Sequence, residues 1–488
     1  MSDSIYRKVP KTMSTQHPDN VRTPFFCSST IISGDDEVKE AFYAYSHLGC
    51  EEQLWDCEGK EVDTHVVKKL LANYEQYFTG HVLGKETFLT MRVPNPEVEK
   101  NEAKILLETL ESIPRNSDIV RAVYGNYPCP IFEVVLPMTT SAVSLSRIRE
   151  YYRKFVSGKG KSVLIVGDES MESWMGAFLP EEINVIPLFE TKEDILNAHK
   201  TVKEYATKER LDEMRVWLAR SDPALNYGSL AAVLLNKIAL QRIAALEVKT
   251  FPILGCGSAP FRGNLTPSNL GCLQGYPSVH TFTIQSAFKY DHDERDVLRA
   301  VEKINSSHTS RPVPVEEEEM LRILEKTSEA YMRQVSAIAP MINDLAMHVP
   351  ARRKRKLHIG LFGYSRNSTG VSLPRAIAFC SSLYSLGLPP EILGLSALSR
   401  SDVDSIINNY GNFEKDMKDA LRYLNKDNLR LMPHALQEEV EKALGLFDFD
   451  VDEEHKLVTD VIAQDYAKKS PSLQESITRA GAIRGFLG

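Results

Sequence analysis

The chain contains no C-x-x-C pair, and its seven cysteines are scattered over 488 residues. Cys256 and Cys272 come nearest to a suggestive couple, but nothing around them has the ligand spacing of a zinc module. The expected state is buried free thiols in a reducing compartment. No run of 18 apolar residues occurs, so no transmembrane helix is expected. The opening MSDSIYRKVPK is polar and has no apolar h-region, so no secretory signal is expected and a cytoplasmic location is. Gly/Ser-rich or Pro-rich linkers, low-complexity tracts and strong internal repeats are also missing. So are the Walker A sequence, a dinucleotide fingerprint after a strand, a G-x-S-x-G elbow and an HExxH helix.

What is present is ordinary in bulk. Hydrophobic residues make up 43% and charged residues 25%, with a formal net charge of −8. That composition excludes a disordered or collagen-like chain. Mild acidity gives no general attraction to nucleic acid or to an anionic membrane, and neither is an expected partner.

One class of segment recurs, a short β-branched or aromatic run ending in a polar residue. The examples are TFLTMRVPN (87–95), IFEVVLPMTT (131–140), SVLIVGDES (162–170), NVIPLFET (184–191), MRVWLARSD (214–222), TFPILGCGS (250–258), HTFTIQSAFKYD (280–291) and HIGLFGYSR (358–366). Near-continuous apolar runs of this length suit parallel strands buried on both faces. Helical patterns fill most intervals: VEKNEAKILLETLESI sets Ile105, Leu106, Leu110 and Ile113 on one face. Eight strands alternating with helices predict an α/β fold, a (β/α)8 TIM-like barrel. The long interval before the last strand and the polar stretch from Ser401 add many further α-helices. The expected organisation is one catalytic domain over 1–488. It has an N-terminal segment (about 1–85) and C-terminal helical additions (about 400–488).

In such a barrel the chemistry sits at the C-terminal strand ends. Those ends carry Arg92, Glu190, Asp222, Gln285 with Lys289, and Arg366, and Arg262 follows shortly after its strand. Taken singly, each is an inter-strand ion pair or a solvated loop charge. Together they suit a hard divalent cation on one or two carboxylates, with arginines for a phosphorylated, carboxylated substrate. Ahead of the first predicted strand stands KTMSTQHPDNVRTP. Its His17, held between Gln16 and Pro18, is either a surface loop histidine or a general base near neutral pH. The basic run ARRKRK (351–356) reads as a solvated face before a strand, and EEEE (316–319) as the acid-rich start of a helix.

The motifs taken together resemble phosphoenolpyruvate carboxylase, most closely the short archaeal type. They are MSTQHPDN, LWDCEGKEVDTHVV, PLFET, ARSDPALNYG, FRGNLTP, FKYD, GLFGYSR and LPRAIAFCSSLYSLGLPPEILG, in that order over roughly residues 10–395. The resemblance implies roles residue by residue. TQHPDN is similar to the catalytic T-A-H-P-T-E segment of the longer enzymes and implies that His17 is catalytic. PLFET is identical to theirs and ARSDPALNYG resembles Y-S-D-S-A-K-D-A-G, which implies Glu190 and Asp222 as ligands of Mg²⁺ or Mn²⁺. GCGSAPFRGNLTP resembles the glycine-rich catalytic loop and retains one of its two arginines, Arg262. GYSR implies a catalytic Arg366, PRAIAF a substrate-binding Arg375, and LTMRVPN a substrate-binding Arg92. Lys289, in FKYD, is a further candidate for substrate binding.

The departures are specific. Cys256 stands where the first arginine of the glycine-rich loop would fall, so another residue must supply that function if it exists. Leu225 replaces the lysine of Y-S-D-S-A-K. RAGAIRGFLG lacks the asparagine-bearing end of the long enzymes' dicarboxylate inhibitor site. The implied reaction is carboxylation of phosphoenolpyruvate by bicarbonate to oxaloacetate and phosphate, through carboxyphosphate and a metal-stabilised enolate. The implied assembly is a homotetramer. Two other readings compete: a Mg²⁺-dependent barrel lyase or aldolase acting on another pyruvyl substrate, and a nucleic-acid-binding scaffold using ARRKRK.

Overall fold

A computed structural model describes residues 8–60, 62–125, 129–354 and 371–488. Eight parallel strands close into a barrel in sequence order. They are β1 (Thr12–Ser14), β2 (Glu52–Asp56), β3 (Phe88–Arg92), β4 (Glu133–Leu136), β5 (Asn184–Phe189), β6 (Glu213–Ala219), β7 (Lys249–Gly255) and β8 (Thr281–Ile284). β1 pairs with β2 on one side and closes on β8 on the other, with Met13 opposite Thr283. The predicted (β/α)8 barrel with added helices is therefore the observed architecture.

Two of the eight strands differ from those expected. SVLIVGDES is no strand; it forms a projecting arm joined by a lone Val163–Ser170 bridge, with Val166 fully exposed. Its apolar run has the composition of a buried strand, but no neighbouring strand offers it a ladder. HIGLFGYSR lies outside the described residues. The barrel instead uses TMS and EQLWD, which form β1 and β2. β1 is only three residues long, and β2 has just Leu54 and Trp55 between Glu52, Gln53 and Asp56, so neither looks like an apolar run. KTMSTQHPDN consequently does not precede the first strand; TQHPDN follows its C-terminal end.

The barrel interior has two layers of different chemistry. Met13, Leu54, Val135, Ile186, Leu188, Trp217, Ala219 and Ile253 form an apolar layer inside it. Beneath lies a polar floor: Arg215 donates to both carboxylate oxygens of Glu52, at 2.8 and 2.7 Å, and to Glu133 at 3.0 Å. A second, larger apolar cluster joins the outer strand faces to the helices, from Val38 to Phe486.

The long interval folds as a 30-residue helix, Glu317–Ala346, with Glu317, Glu318 and Glu319 in its first turn. Those acids complement the positive end of the helix dipole. Further helices run from Arg400–Asn409 to Leu473–Arg484. ARRKRK departs from expectation. Arg352 and Arg353 are buried, Arg352 donating to the carbonyls of Asn20 and Val21 and Arg353 to Glu37 and Glu40. No single helix among the described residues is long and apolar enough to cross a membrane.

Candidate active site

A cavity of about 510 Å³ opens at the C-terminal face of the barrel. His17 reaches it after β1, Lys60 after β2, Arg92 from the end of β3, and Glu190 after β5. Asp222 follows β6, Arg262 follows β7, and Gln285 follows β8. Arg375, at the start of helix Ala376–Ser385, completes this part of the wall. Six of the eight expected site residues therefore meet in one space.

Asp56, the last residue of β2, organises one side. It is fully buried and accepts from Arg92 Nε at 2.7 Å and Nη2 at 2.6 Å, a two-point pair. Lys60 Nζ donates to the same carboxylate, and Glu58 stands 3.4 Å from Arg92 Nε. Burial alone would raise the Asp56 pKa, but Arg92 and Lys60 hold it far below the ordinary carboxylate range. Burial, together with the neighbouring arginines, lowers Lys60 to about 8 despite Asp56.

His17 stands beside this cluster, because Gln16 Oε1 accepts from the backbone N–H of Asp56 at 2.9 Å. Its Nδ1 is 2.8 Å from Thr15 Oγ1, which leaves Nε2 for proton transfer. Burial, then Lys60, Arg92 and Arg262, push the imidazole pKa well below its ordinary value. That shift favours the neutral form of the ring.

Arg262 is held from several directions. It donates to Asp19 Oδ2 at 3.0 Å, to the Gly488 carbonyl at 2.7 Å, to Ser221 Oγ at 3.1 Å and to Gln285 Oε1. These bonds leave one hydrogen on Nη2 for a cavity ligand. The preceding loop wraps closely around the side chain. A Cβ on Gly257 would come within 2.9 Å of Arg262 Cζ, and Gly263 adopts φ 134°, which disfavours any other residue there. Cys256 packs behind the loop with Sγ 3.1 Å from that of Cys272, both buried and unbridged.

Glu190 and Asp222 come from adjacent strands. Met138 donates its backbone N–H to Glu190 Oε2 at 2.6 Å and adopts φ 48° to do so. Asp222 lies in the first turn of Ser221–Tyr227. No group of three or more His, Cys, Asp or Glu side chains with metal-ligand placement occurs among the described residues. Two carboxylates suit a hard cation that keeps water and substrate oxygens, but not a closed structural zinc site.

Two expected residues fall elsewhere. Arg366 lies outside the described residues. Lys289 does not line the cavity: its side chain is wholly buried beneath it, bonded to Glu40 Oε1 at 3.0 Å, Ser14 Oγ at 3.0 Å and the Thr15 carbonyl at 3.1 Å. It sits in the turn Ser286–Tyr290, which points it back under β1. Sequence reasoning missed Asp56 and Lys60. The available signal was a charged cluster, D-C-E-G-K, directly after Leu54–Trp55, but it is legible only once β2 is recognised.

The description of the family model that matches residues 9–488 is phosphoenolpyruvate carboxylase. The phosphoenolpyruvate carboxylase of Methanospirillum hungatei is 49% identical over 99% of this chain and 100% of its own length. That of Methanothermobacter thermautotrophicus is 50% identical, again over 99% of this chain and all of its own. That of Pyrococcus horikoshii is 47% identical over 98% and 100%. With full-length matches in archaea and a complete barrel carrying the motifs at its C-terminal face, the chain belongs to the phosphoenolpyruvate carboxylase family, in its short archaeal type.

Proposed function

We propose that the chain carboxylates phosphoenolpyruvate with bicarbonate, giving oxaloacetate and phosphate. The observation that carries this reading is the convergence of His17, Arg92, Glu190, Asp222, Arg262 and Arg375 on one cavity. Both substrates are anions, and the chain is acidic overall, so attraction has to be local to the site.

Arg92, Arg262 and Arg375 bind the phosphate and carboxylate of phosphoenolpyruvate, a task suited to planar forked donors. Arg366 joins them in this reading. Glu190 and Asp222 would hold a divalent cation, Mg²⁺ or Mn²⁺, which would supply Lewis-acid charge where the enolate oxygen develops. A bicarbonate oxygen attacks phosphorus as the phosphorus–enol oxygen bond breaks, giving carboxyphosphate and enolate. Neutral His17 accepts the carboxyl proton of carboxyphosphate, which then divides into CO₂ and phosphate. The enolate methylene carbon attacks CO₂ and forms the new carbon–carbon bond. Water must be kept from the enolate during that step.

The chain acts in this reading as one catalytic unit. The N-terminal segment supplies His17, and the helices beyond about residue 400 support the barrel. The working form is a cytoplasmic homotetramer. The test is oxaloacetate formation coupled to malate dehydrogenase, with and without bicarbonate. Bicarbonate-dependent release of phosphate together with oxaloacetate supports the carboxylase. Turnover of a pyruvyl substrate without bicarbonate would support a lyase or aldolase instead.

A further inference from the structure

Lys60 carries none of the roles assigned above, yet it stands on the cavity wall beside His17 and Arg92. Its side chain is 7% exposed, so the ammonium is nearly dry. Removing an ammonium from water is costly unless anions compensate for it. Here the compensation is shared: one Asp56 carboxylate serves Lys60 and also takes both Nε and Nη2 of Arg92. Two cations thus lean on one fully buried carboxylate, with Glu58 as a more distant partner of Arg92. An ammonium has three donors, and the hydrogen bond Lys60 makes among the described residues is the one to Asp56. The remaining donors leave room for an oxyanion in the cavity.

The position of Lys60 selects which oxyanion. The forked arginines suit the phosphate and carboxylate of phosphoenolpyruvate, whereas Lys60 is a compact point charge on a flexible stem. It is also the cation that acts most strongly on His17. His17 works on the group derived from bicarbonate. The cavity-lining cation that follows β6 is Arg220, a forked donor like the other arginines, so Lys60 differs from it in kind.

We propose that Lys60 is the bicarbonate-contacting cation of this site. Anchored on Asp56, its ammonium donates to the oxygens of bicarbonate and keeps hold of the same carboxyl group within carboxyphosphate until His17 removes the proton. No bond to Lys60 forms or breaks. The inference rests on the carboxylase reading and adds a subsite to it.

The test measures both substrates separately in wild type, Lys60→Met and Lys60→Ala. Lys60→Met should raise KM for bicarbonate at least tenfold and leave KM for phosphoenolpyruvate within threefold. In Lys60→Ala, added methylammonium or ethylammonium should restore kcat/KM for bicarbonate in a saturable way. A purely structural role would not produce such rescue. In wild type, bicarbonate should protect Lys60 from reductive methylation, read by peptide mass spectrometry; this arm needs no variant to fold. The inference is overturned if the bicarbonate KM of a folded Lys60→Met stays within twofold of wild type. It is equally overturned if both KM values rise together, if alkylammonium fails to rescue, or if bicarbonate gives no protection. Wild type that makes no oxaloacetate from bicarbonate would bring down the carboxylase reading itself. Normal wild-type carboxylation with an unaffected variant would bring down the role of Lys60 alone.

Discussion

Asp56 and Arg92 lie on adjacent strands in register, and their side chains meet in two parallel hydrogen bonds of 2.7 and 2.6 Å. The pair fixes the plane of the guanidinium before any substrate arrives. Asp56→Asn keeps the shape but removes the charge and one acceptor. We expect KM for phosphoenolpyruvate to rise at least tenfold. Breaking a buried pair of this kind also costs about 3–5 kcal/mol of stability. Denaturant unfolding together with steady-state kinetics would check both; an unchanged KM would mean that Arg92 is oriented by other contacts.

Glu190→Gln and Asp222→Asn should each weaken Mn²⁺ binding, because each deletes a hard anionic ligand. Free Mn²⁺ followed by electron paramagnetic resonance gives a readout independent of turnover. The expected fall in kcat/KM is of the order of 10²-fold or more. Two variants that bind Mn²⁺ like wild type would remove these residues from the metal site.

His17→Asn should separate the two halves of the reaction. Substrate binding and bicarbonate-dependent phosphoryl transfer persist. Proton removal from carboxyphosphate loses a general-base contribution of typically ~10²- to 10⁴-fold. The stranded enolate is then protonated, so pyruvate and phosphate appear with almost no oxaloacetate. Parallel coupling to lactate and malate dehydrogenases distinguishes the products. Oxaloacetate as the main product at a wild-type rate would reduce His17 to an ordinary loop histidine.

Lys289→Met should act on stability and not on substrate affinity. Its ammonium braces Glu40 and the end of β1 from below the cavity. The expected loss is about 3–5 kcal/mol, typical of a broken buried pair, with KM for phosphoenolpyruvate within threefold. A large KM change with unaltered unfolding would restore Lys289 as a substrate contact.

His455 gives the fold a pH dependence of its own. It is buried, with Nε2 2.9 Å from Arg484 Nη1, and burial and Arg484 push its pKa down to about 2. The unfolded chain binds this proton below about pH 6.5 while the folded chain resists it. The unfolded state therefore holds more protons in the window between, and stability falls as pH drops from about 6.5 towards 2. The limiting slope is about 1.4 kcal/mol per pH unit. His455→Gln should flatten that part of the stability curve; an unchanged acid limb in chemical denaturation would count against it.

The sequence made the barrel legible through β3 to β8, whose strands read as buried apolar runs, and less so at β1 and β2. Thr12–Ser14 is too short to show a pattern, and Glu52 faces a polar floor and not an apolar core. Val163–Val166 misleads for the opposite reason, since apolar composition alone does not supply a partner strand. Strand ends revealed Arg92, Glu190 and Asp222, because a barrel gathers such ends on one face. Lys289 also stands near a strand end, but a short helical turn carries it under the cavity, a direction that spacing does not encode. Lys60 was hidden behind a strand that was itself hidden.

The ties around Arg262 couple segments that are remote in sequence. Asp19, Ser221, Gln285 and Gly488 all bond to its guanidinium, and Leu487 N–H bonds to the Asp19 carbonyl. Segments far apart in the sequence thus share one arginine, Gly488 lying 226 positions from it. A disturbance in the docking of residues 487–488 therefore releases Arg262 and Asp19 together, and damage remote in sequence is felt at the cavity wall.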